Sequence, residues 1–184
     1  MGHNPDDLQL IAQARKGDHR AFGLLVERYE SLVARTVLGM LGNVPEADDV
    51  GQEVFIRFYK AMDKFRGDSA LGTYLVRIAI NLSLNELKKK KRTLDVNSRN
   101  GNGFEAESLV VSDDDASRAD ARDAVRKALM NLDPKFRSVV VLRMIEGYDT
   151  RETAEILDIP LGTVLSRLTR AQKQLRKILE HVTF

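Results

Sequence analysis

The stretch "TRETAEILDIPLGTVLSRLTRAQKQLRKIL", Thr150 to Leu179, decides the fold. Its apolar residues recur at helical spacing up to Leu157, a Pro and a Gly interrupt the pattern, and it resumes from Leu161. Two helices joined by so short a break form a helix-turn-helix. On the second helix Val164, Leu168, Ala171, Leu175 and Ile178 share one stripe. The opposite face carries Gly162, Ser166, Thr169, Arg170, Lys173, Arg176 and Lys177, and no acid occurs from Ile159 to Leu179. A face that is merely solvated usually mixes signs. This one suits a major groove, with Ser, Thr and Arg near base edges and the later Lys and Arg on phosphates. Gly162 admits a close approach of the backbone, and the free N–H groups at the helix start favour a phosphate. The plainer alternative is a solvated basic face on an ordinary helical hairpin.

The rest of the chain reads as helix too, because no stretch alternates in a strand period. The spacing predicts helices over about Pro5–Lys16, from Asp18 (as N-cap) to the "GNVP" break, and over Glu46–Phe65 and Ala70–Arg92, the last with Ser69 as N-cap. "TLDVNSRNGNGFEAESLVVSDDDAS" then brings Asn-Gly and Gly-Asn turn signals, few large apolar residues and a triple Asp, so Thr93–Ser117 reads as a flexible linker. Leu109, Val110 and Val111 within it are candidates to dock elsewhere. Helices resume over about Arg118–Asn131 and over Pro134–Glu146, with Asp133 as cap and Gly147 as stop. The expected architecture is all-α: a helical domain over 1–92, a linker over 93–117 and a helix-turn-helix domain over 118–184.

Composition sets limits on function. The chain has 184 residues, 43% hydrophobic and 30% charged, which is the make-up of a globular protein. It contains no Cys, which excludes disulfides, thiolate metal sites and cysteine nucleophiles. His3, His19 and His181 are too scattered to hold a metal, and no cofactor is expected. "MGHNPDDLQL" lacks a basic segment followed by an apolar run, so no signal peptide is expected. The most apolar window, Ala70–Leu87, is broken by Arg77, Asn81, Asn85 and Glu86, so no membrane insertion is expected and the default is a cytoplasmic protein. The net charge of +2 hides local balances of +3 over residues 1–92, −5 over 93–120 and +4 over 121–184. Two basic blocks around an acidic joint point to a polyanionic partner.

In Ala70–Arg92 a polar stripe of Thr73, Tyr74, Arg77, Asn81, Asn85 and Lys88 runs along an otherwise apolar helix. Asn is a poor residue for a helix interior. Two in register invite a functional reading: Asn side chains can bond base edges and Tyr74 can stack on an unpaired base. A solvent stripe is the bland alternative. "KKKKR", Lys88–Arg92, suits a helix C-terminus and continues the stripe towards phosphates. In "EADDVGQEVFIRFYKAMDKF" the acids near the helix start are explained by the dipole alone. No carboxylate pair, phosphate loop or Ser/His/Asp set stands out, so catalysis has no candidate residue.

Two stretches together resemble a known family. "DDVGQEVFIRFYKAMDKFRGDSALGTYLVRIAINLSLNELKKKKR" resembles region 2, and "LDPKFRSVVVLRMIEGYDTRETAEILDIPLGTVLSRLTRAQKQLRK" region 4, of the extracytoplasmic-function (ECF, group IV) sigma factors of bacteria. The two cover about half of the chain, in the right order and separated by a linker. The resemblance implies a subunit that binds core RNA polymerase, directs it to promoters and is restrained by an anti-sigma factor. It implies that Asp49, Gln52, Glu53 and Phe55 meet the polymerase, so the acidic cluster gains an interface role. It implies that "FRGDSAL" and the helix after it capture unpaired minus-ten bases, with Asn81 against a flipped base and Tyr74 where many members carry Trp. Arg77, Asn85 and Lys88 join that set from the stripe. In region 4 Ser166, Arg167 and Arg170 match the family, and with Thr163, Thr169 and Lys173 they make up the expected minus-thirty-five contact set. Leu165 and Thr169 stand where members often carry basic or larger residues, and Asp158 replaces the usual turn Gly. Leu165, at the edge of the apolar stripe, either packs on a neighbouring helix or meets a thymine methyl. The rival readings are a polymerase-independent helix-turn-helix regulator, expected to bind duplex DNA as a dimer, and a protein-interaction adaptor.

Overall fold

The structure, a computed structural model, describes residues 6–99 and 124–180. Each helix start has an identifiable local cause. Asp6 accepts from the Gln9 amide to open α1 (Asp7–Arg15), and Asp18 accepts from the amides of Arg20 and Ala21 to open α2 (His19–Leu41). Gly17 and Gly42, at φ 94° and 79°, turn the chain out of α1 and α2 in the left-handed region that side chains disfavour. Pro45 begins α3 (Pro45–Ala61), which tightens into a 3₁₀ turn at Met62–Lys64.

After an exposed loop α4 runs from Leu71 to Arg99. Its N-cap position is held by Ala70, not Ser69, since the Ala70 carbonyl accepts from Tyr74 N at 3.1 Å. It also continues seven residues into the stretch read as a linker. No Gly or Pro lies between Leu71 and Arg99 apart from Gly72. A helix already nucleated extends through indifferent residues at one bond each. The remainder of that linker, with Leu109, Val110 and Val111, lies outside the described residues, as do 118–123.

The second half comprises α5 (124–130), α6 (Pro134–Val140, capped by Asp133 through Lys135 N at 3.0 Å), α7 (Thr150–Leu157) and α8 (Leu161–Glu180). The helix expected to reach Glu146 changes at Val141–Ile145 into a π-helical turn, where Glu146 N reaches back five residues to Val141 O.

Helices α1 to α4 enclose a core of Leu25, Val33, Val37, Val54, Phe58, Leu75, Ala79 and Ile80, and Gly72 lets α4 close on Tyr29 and Leu32 of α2. A second core gathers Leu129, Leu132, Phe136, Val140 and Ala171. Val141, Leu142 and Ile156, from the C-terminal half, belong to the first core instead. Each such side chain contributes about 1.5–3 kcal/mol when fully buried. The two halves are therefore packed on one another, with α7 against α4 and the π turn against α2.

Candidate nucleic-acid interface

The helix-turn-helix is held by backbone chemistry its own sequence supplies. Asp149 and Glu152 form a capping box on α7, with Glu152 N to Asp149 Oδ1 at 2.8 Å and Asp149 N to Glu152 Oε2 at 2.7 Å. At the turn Asp158 adopts a left-handed conformation (φ 52°, ψ 53°). Pro160 O then receives Thr163 N at 2.8 Å and Val164 N at 3.2 Å as α8 begins.

Val164 and Ala171 of α8 are buried, which fixes its rotation. Ser166, Thr169, Arg170 and Lys173 are thereby left exposed on one face, while Thr163 and Arg167 are half-buried at its edge. Ser166 Oγ donates to Thr163 O and Thr169 Oγ1 to Leu165 O, both at 3.0 Å, which leaves each hydroxyl lone pairs to accept with. Among the described residues, Arg167, Arg170 and Lys173 form no ion pair; Arg176 approaches Glu180 at 3.9 Å. The face keeps its positive charge. Leu161 and Leu165 are 48% and 49% exposed, so Leu165 is not packed on a neighbouring helix and sits on the polar face as an apolar contact.

The stripe on α4 keeps its register but passes three surroundings. Tyr74 is half-buried, its ring edge-on to Phe65 and Phe58 at centroid distances of 5.1 and 6.1 Å. Arg77 and Asn81 are exposed and line a cleft of about 770 Å³ shared with Glu155, Ile156, Leu157 and Asp158 of the helix-turn-helix. Arg77 Nη2 donates to Glu155 O at 2.8 Å. Asn85 opens instead onto a groove between α3 and α4, beside Asp49, Glu53, Glu86 and Lys89. Lys88 is exposed, and its neighbours Lys89 and Lys90 pair with Glu86 (3.7 Å) and Glu46 (3.0 Å). The Lys90 hydrogen bond, helped by a backbone amide, holds the Glu46 carboxyl below the usual range.

The four α3 candidates divide between two faces. Gln52 and Phe55 line a groove against α2 with Val26, Glu30 and Leu38. Asp49 and Glu53 line the α3–α4 groove, where Glu53 pairs with Arg57 at 2.9 Å. Asp49 and Gln52 are exposed, and Glu53 and Phe55 half-exposed.

Two arginines that matter here carry no signal in the sequence. Arg15 donates through Nε and Nη2 to Met62 O (3.0 and 2.6 Å) and through Nη2 to Phe65 O (2.5 Å), which anchors the chain where it enters the "RGDS" loop. Arg137, 5% exposed, donates to Met40 O at 2.5 Å, to Leu132 O at 3.0 Å and to Met130 O. Apart from a contact of Arg137 Nη1 with Met130 Sδ at 3.4 Å, the partners are backbone carbonyls, and those of Met62, Phe65 and Met40 lie far away in the chain. No metal-holding cluster of His, Asp and Glu occurs among the described residues, and no described helix is long and apolar enough to cross a membrane.

Comparison with known proteins agrees with this geometry. Residues 25–93 match the Sigma-70 region 2 family and residues 122–175 the Sigma-70 region 4 family. The RNA polymerase sigma-H factor of Pseudomonas aeruginosa is 35% identical, over 95% of this chain and 94% of its own. ECF sigma factor SigW of Bacillus subtilis is 36% identical, over 91% and 93%. The ECF sigma-E factor of Escherichia coli is 37% identical, over 94% of each. Among solved structures, CnrH in complex with the cytosolic domain of CnrY superposes with a TM-score of 0.68 at 29% identity, over 96% of this chain and 99% of that one. Sigma factor RpoE of Bartonella quintana, in complex with the anti-sigma factor NepR, shares the fold at a TM-score of 0.71 and 22% identity, over 88% and 98%.

Proposed function

The chain belongs to the ECF group of RNA polymerase sigma factors, and from that premise we propose how its surfaces divide the work. Residues 1–92 take the region-2 role and 118–184 the region-4 role. On α8, Ser166, Thr169, Arg170 and Lys173 read and hold the minus-thirty-five duplex, with Thr163 and Arg167 at the rim of the contact. Bases are met by Ser166, Thr169 and Arg170, and phosphates by Lys173. On α4, Arg77 and Asn81 take the unpaired minus-ten strand, and Lys88 follows its backbone. Tyr74 shapes the loop from inside its aromatic cluster, and Asn85 borders the α3 surface. Asp49, Gln52, Glu53 and Phe55 present both faces of α3 to the polymerase.

The chain supplies no catalytic group; bond formation belongs to the polymerase, with which it acts inside the cell. An anti-sigma factor is the partner that restrains it, as CnrY and NepR accompany the two structural neighbours. The observation that carries this reading is the acid-free exposed face of α8 in one chain with the Arg77–Asn81 pair on α4. In vitro transcription from genomic fragments tests it. Core polymerase plus this chain is expected to start at discrete sites that core alone ignores. An unchanged transcript pattern, with the chain retaining duplex binding on its own, overturns it in favour of a polymerase-independent regulator.

A further inference from the structure

With Val164 and Ala171 buried, the rotation of α8 is set, and with it the flank on which every other side chain lies. Leu161 and Leu165 stand one turn apart on one flank, and Thr169 continues that flank a turn later. Leu161 is 48% exposed and Leu165 49%. A single exposed leucine needs no explanation. Two on successive turns, on the helix surface that also carries Ser166, Arg170 and Lys173, form an apolar strip within a polar face. The Thr169 hydroxyl donates to the Leu165 carbonyl at 3.0 Å, so polar and apolar groups adjoin on neighbouring turns.

The surroundings of the strip decide what can cover it. Arg167, Arg170 and Lys173 lie along the same helix, and no acid occurs from Ile159 to Leu179. The occupant must therefore be a polyanion that also displays an apolar group. Duplex DNA does so in its major groove, where the C5 methyl of thymine stands beside the O4 acceptor. In a helix-turn-helix the N-terminal residues of the second helix reach the base edges, and Leu161 opens α8 with Leu165 one turn in. The two are not equivalent. Leu161 borders a hollow that it shares with Arg151, Glu155 and Asp158, whose carboxylates disfavour a nearby phosphate. Leu165 stands outside that hollow, about 6 Å farther along the axis.

We propose that Leu165 is a specificity-determining residue of the minus-thirty-five contact, its isobutyl group covering the C5 methyl of one thymine in the duplex. The proposal rests on the reading of α8 given above and adds a base feature that hydrogen bonds do not report. Ser166, Thr169 and Arg170 meet donors and acceptors, whereas a methyl group is rewarded by apolar contact. Burial of one methyl-sized group is worth about fourfold in affinity. Thymine at that position is therefore preferred by this factor over uracil, which has the same hydrogen-bonding edge and lacks the methyl.

The probe is a duplex promoter fragment that holoenzyme containing the full chain transcribes. Each thymine of its upstream element is replaced singly by deoxyuridine, which removes the C5 methyl and nothing else. Competition gel shifts with holoenzyme should show about a fourfold loss at one of these positions. Leu165→Ala, at an exposed position, should bind the unmodified duplex about fourfold more weakly and lose nothing further at that deoxyuridine, the signature of a coupled pair. Lys173→Ala should bind every duplex more weakly and keep the deoxyuridine loss. No loss at any thymine, or a loss that persists in Leu165→Ala, overturns the assignment. In the second case the methyl belongs to another side chain. Arg170→Ala separates this failure from failure of the underlying reading. If it weakens binding while Leu165→Ala does not, α8 still reads the duplex and the exposed leucines serve a protein partner instead. If Arg170→Ala binds as the parent does, the reading of α8 falls and this proposal falls with it.

Discussion

Arg137→Met tests the least legible support of the fold. Arg137 is 5% exposed and gives hydrogen bonds to the carbonyls of Met40, Met130 and Leu132. Met40 lies in the last turn of α2 and Met130 ends α5, so two of these carbonyls are among those a helix end leaves without partners. Burial pushes the guanidinium pKa down, and Asp133 offsets part of that shift. Methionine keeps much of the stem and removes the desolvated charge, which is a gain. Against it stand three bonds to a charged donor, about 1.5–3 kcal/mol each, and three carbonyls left dry. The net loss should be about 3 kcal/mol. For a chain of this size it appears as a fall of about 6–12 °C in the midpoint of thermal unfolding, followed by circular dichroism. Arg137→Lys keeps the charge but not the planar fork, and should recover less than half of that loss. A midpoint for Arg137→Met within about 3 °C of the parent, equivalent to about 1 kcal/mol, would refute the reasoning.

The other expectations are shorter. Asn81→Ala in holoenzyme should cut open-complex formation by about 5–100-fold, the equivalent of about 1–3 kcal/mol for a base contact, and spare closed binding; permanganate footprinting and gel shift separate the two. Lys173→Ala should weaken duplex binding evenly across sequences and reduce the slope of log affinity against log salt by about 1, whereas Arg170→Ala should also relax base preference at one position. Asp149→Ala removes the α7 capping box and should cost about 1 kcal/mol, read as a drop of about 2–4 °C. The Tyr29 hydroxyl, pushed up to about 12 by burial and by its hydrogen bond to Asp7, favours the folded state in its neutral form. That contribution is complete below pH about 10, the ordinary tyrosine value, and is lost as pH rises towards 12. Tyr29→Phe should flatten this alkaline limb, and an unchanged limb would assign it to other groups.

What the chain discloses in one dimension follows from how far each interaction reaches. The helix-turn-helix was legible because its causes are local: the box from Asp149 to Glu152, the break at Pro160, the stripe from Val164 to Ala171. The end of α4 was not, because composition argued for a linker while the absence of Gly and Pro let the helix run on to Arg99. Arg15 and Arg137 bind backbone carbonyls up to 50 and 97 residues away, and a carbonyl is present at every position, so no side-chain pattern announces the pair. The α4 stripe lies between these cases. Helical spacing alone puts Tyr74, Arg77, Asn81 and Asn85 on one face, and that face exists. Its meaning depends on what packs beside it: Phe65 at Tyr74, the α7 turn at Arg77 and Asn81, the acids of α3 at Asn85. A periodic pattern thus specifies which residues can act together, and tertiary packing decides which of them are free to do so in a given state. For this sigma factor the α7 turn, with Asp158 at φ 52°, borders the same cleft as Arg77 and Asn81, and both of those residues stay exposed beside it.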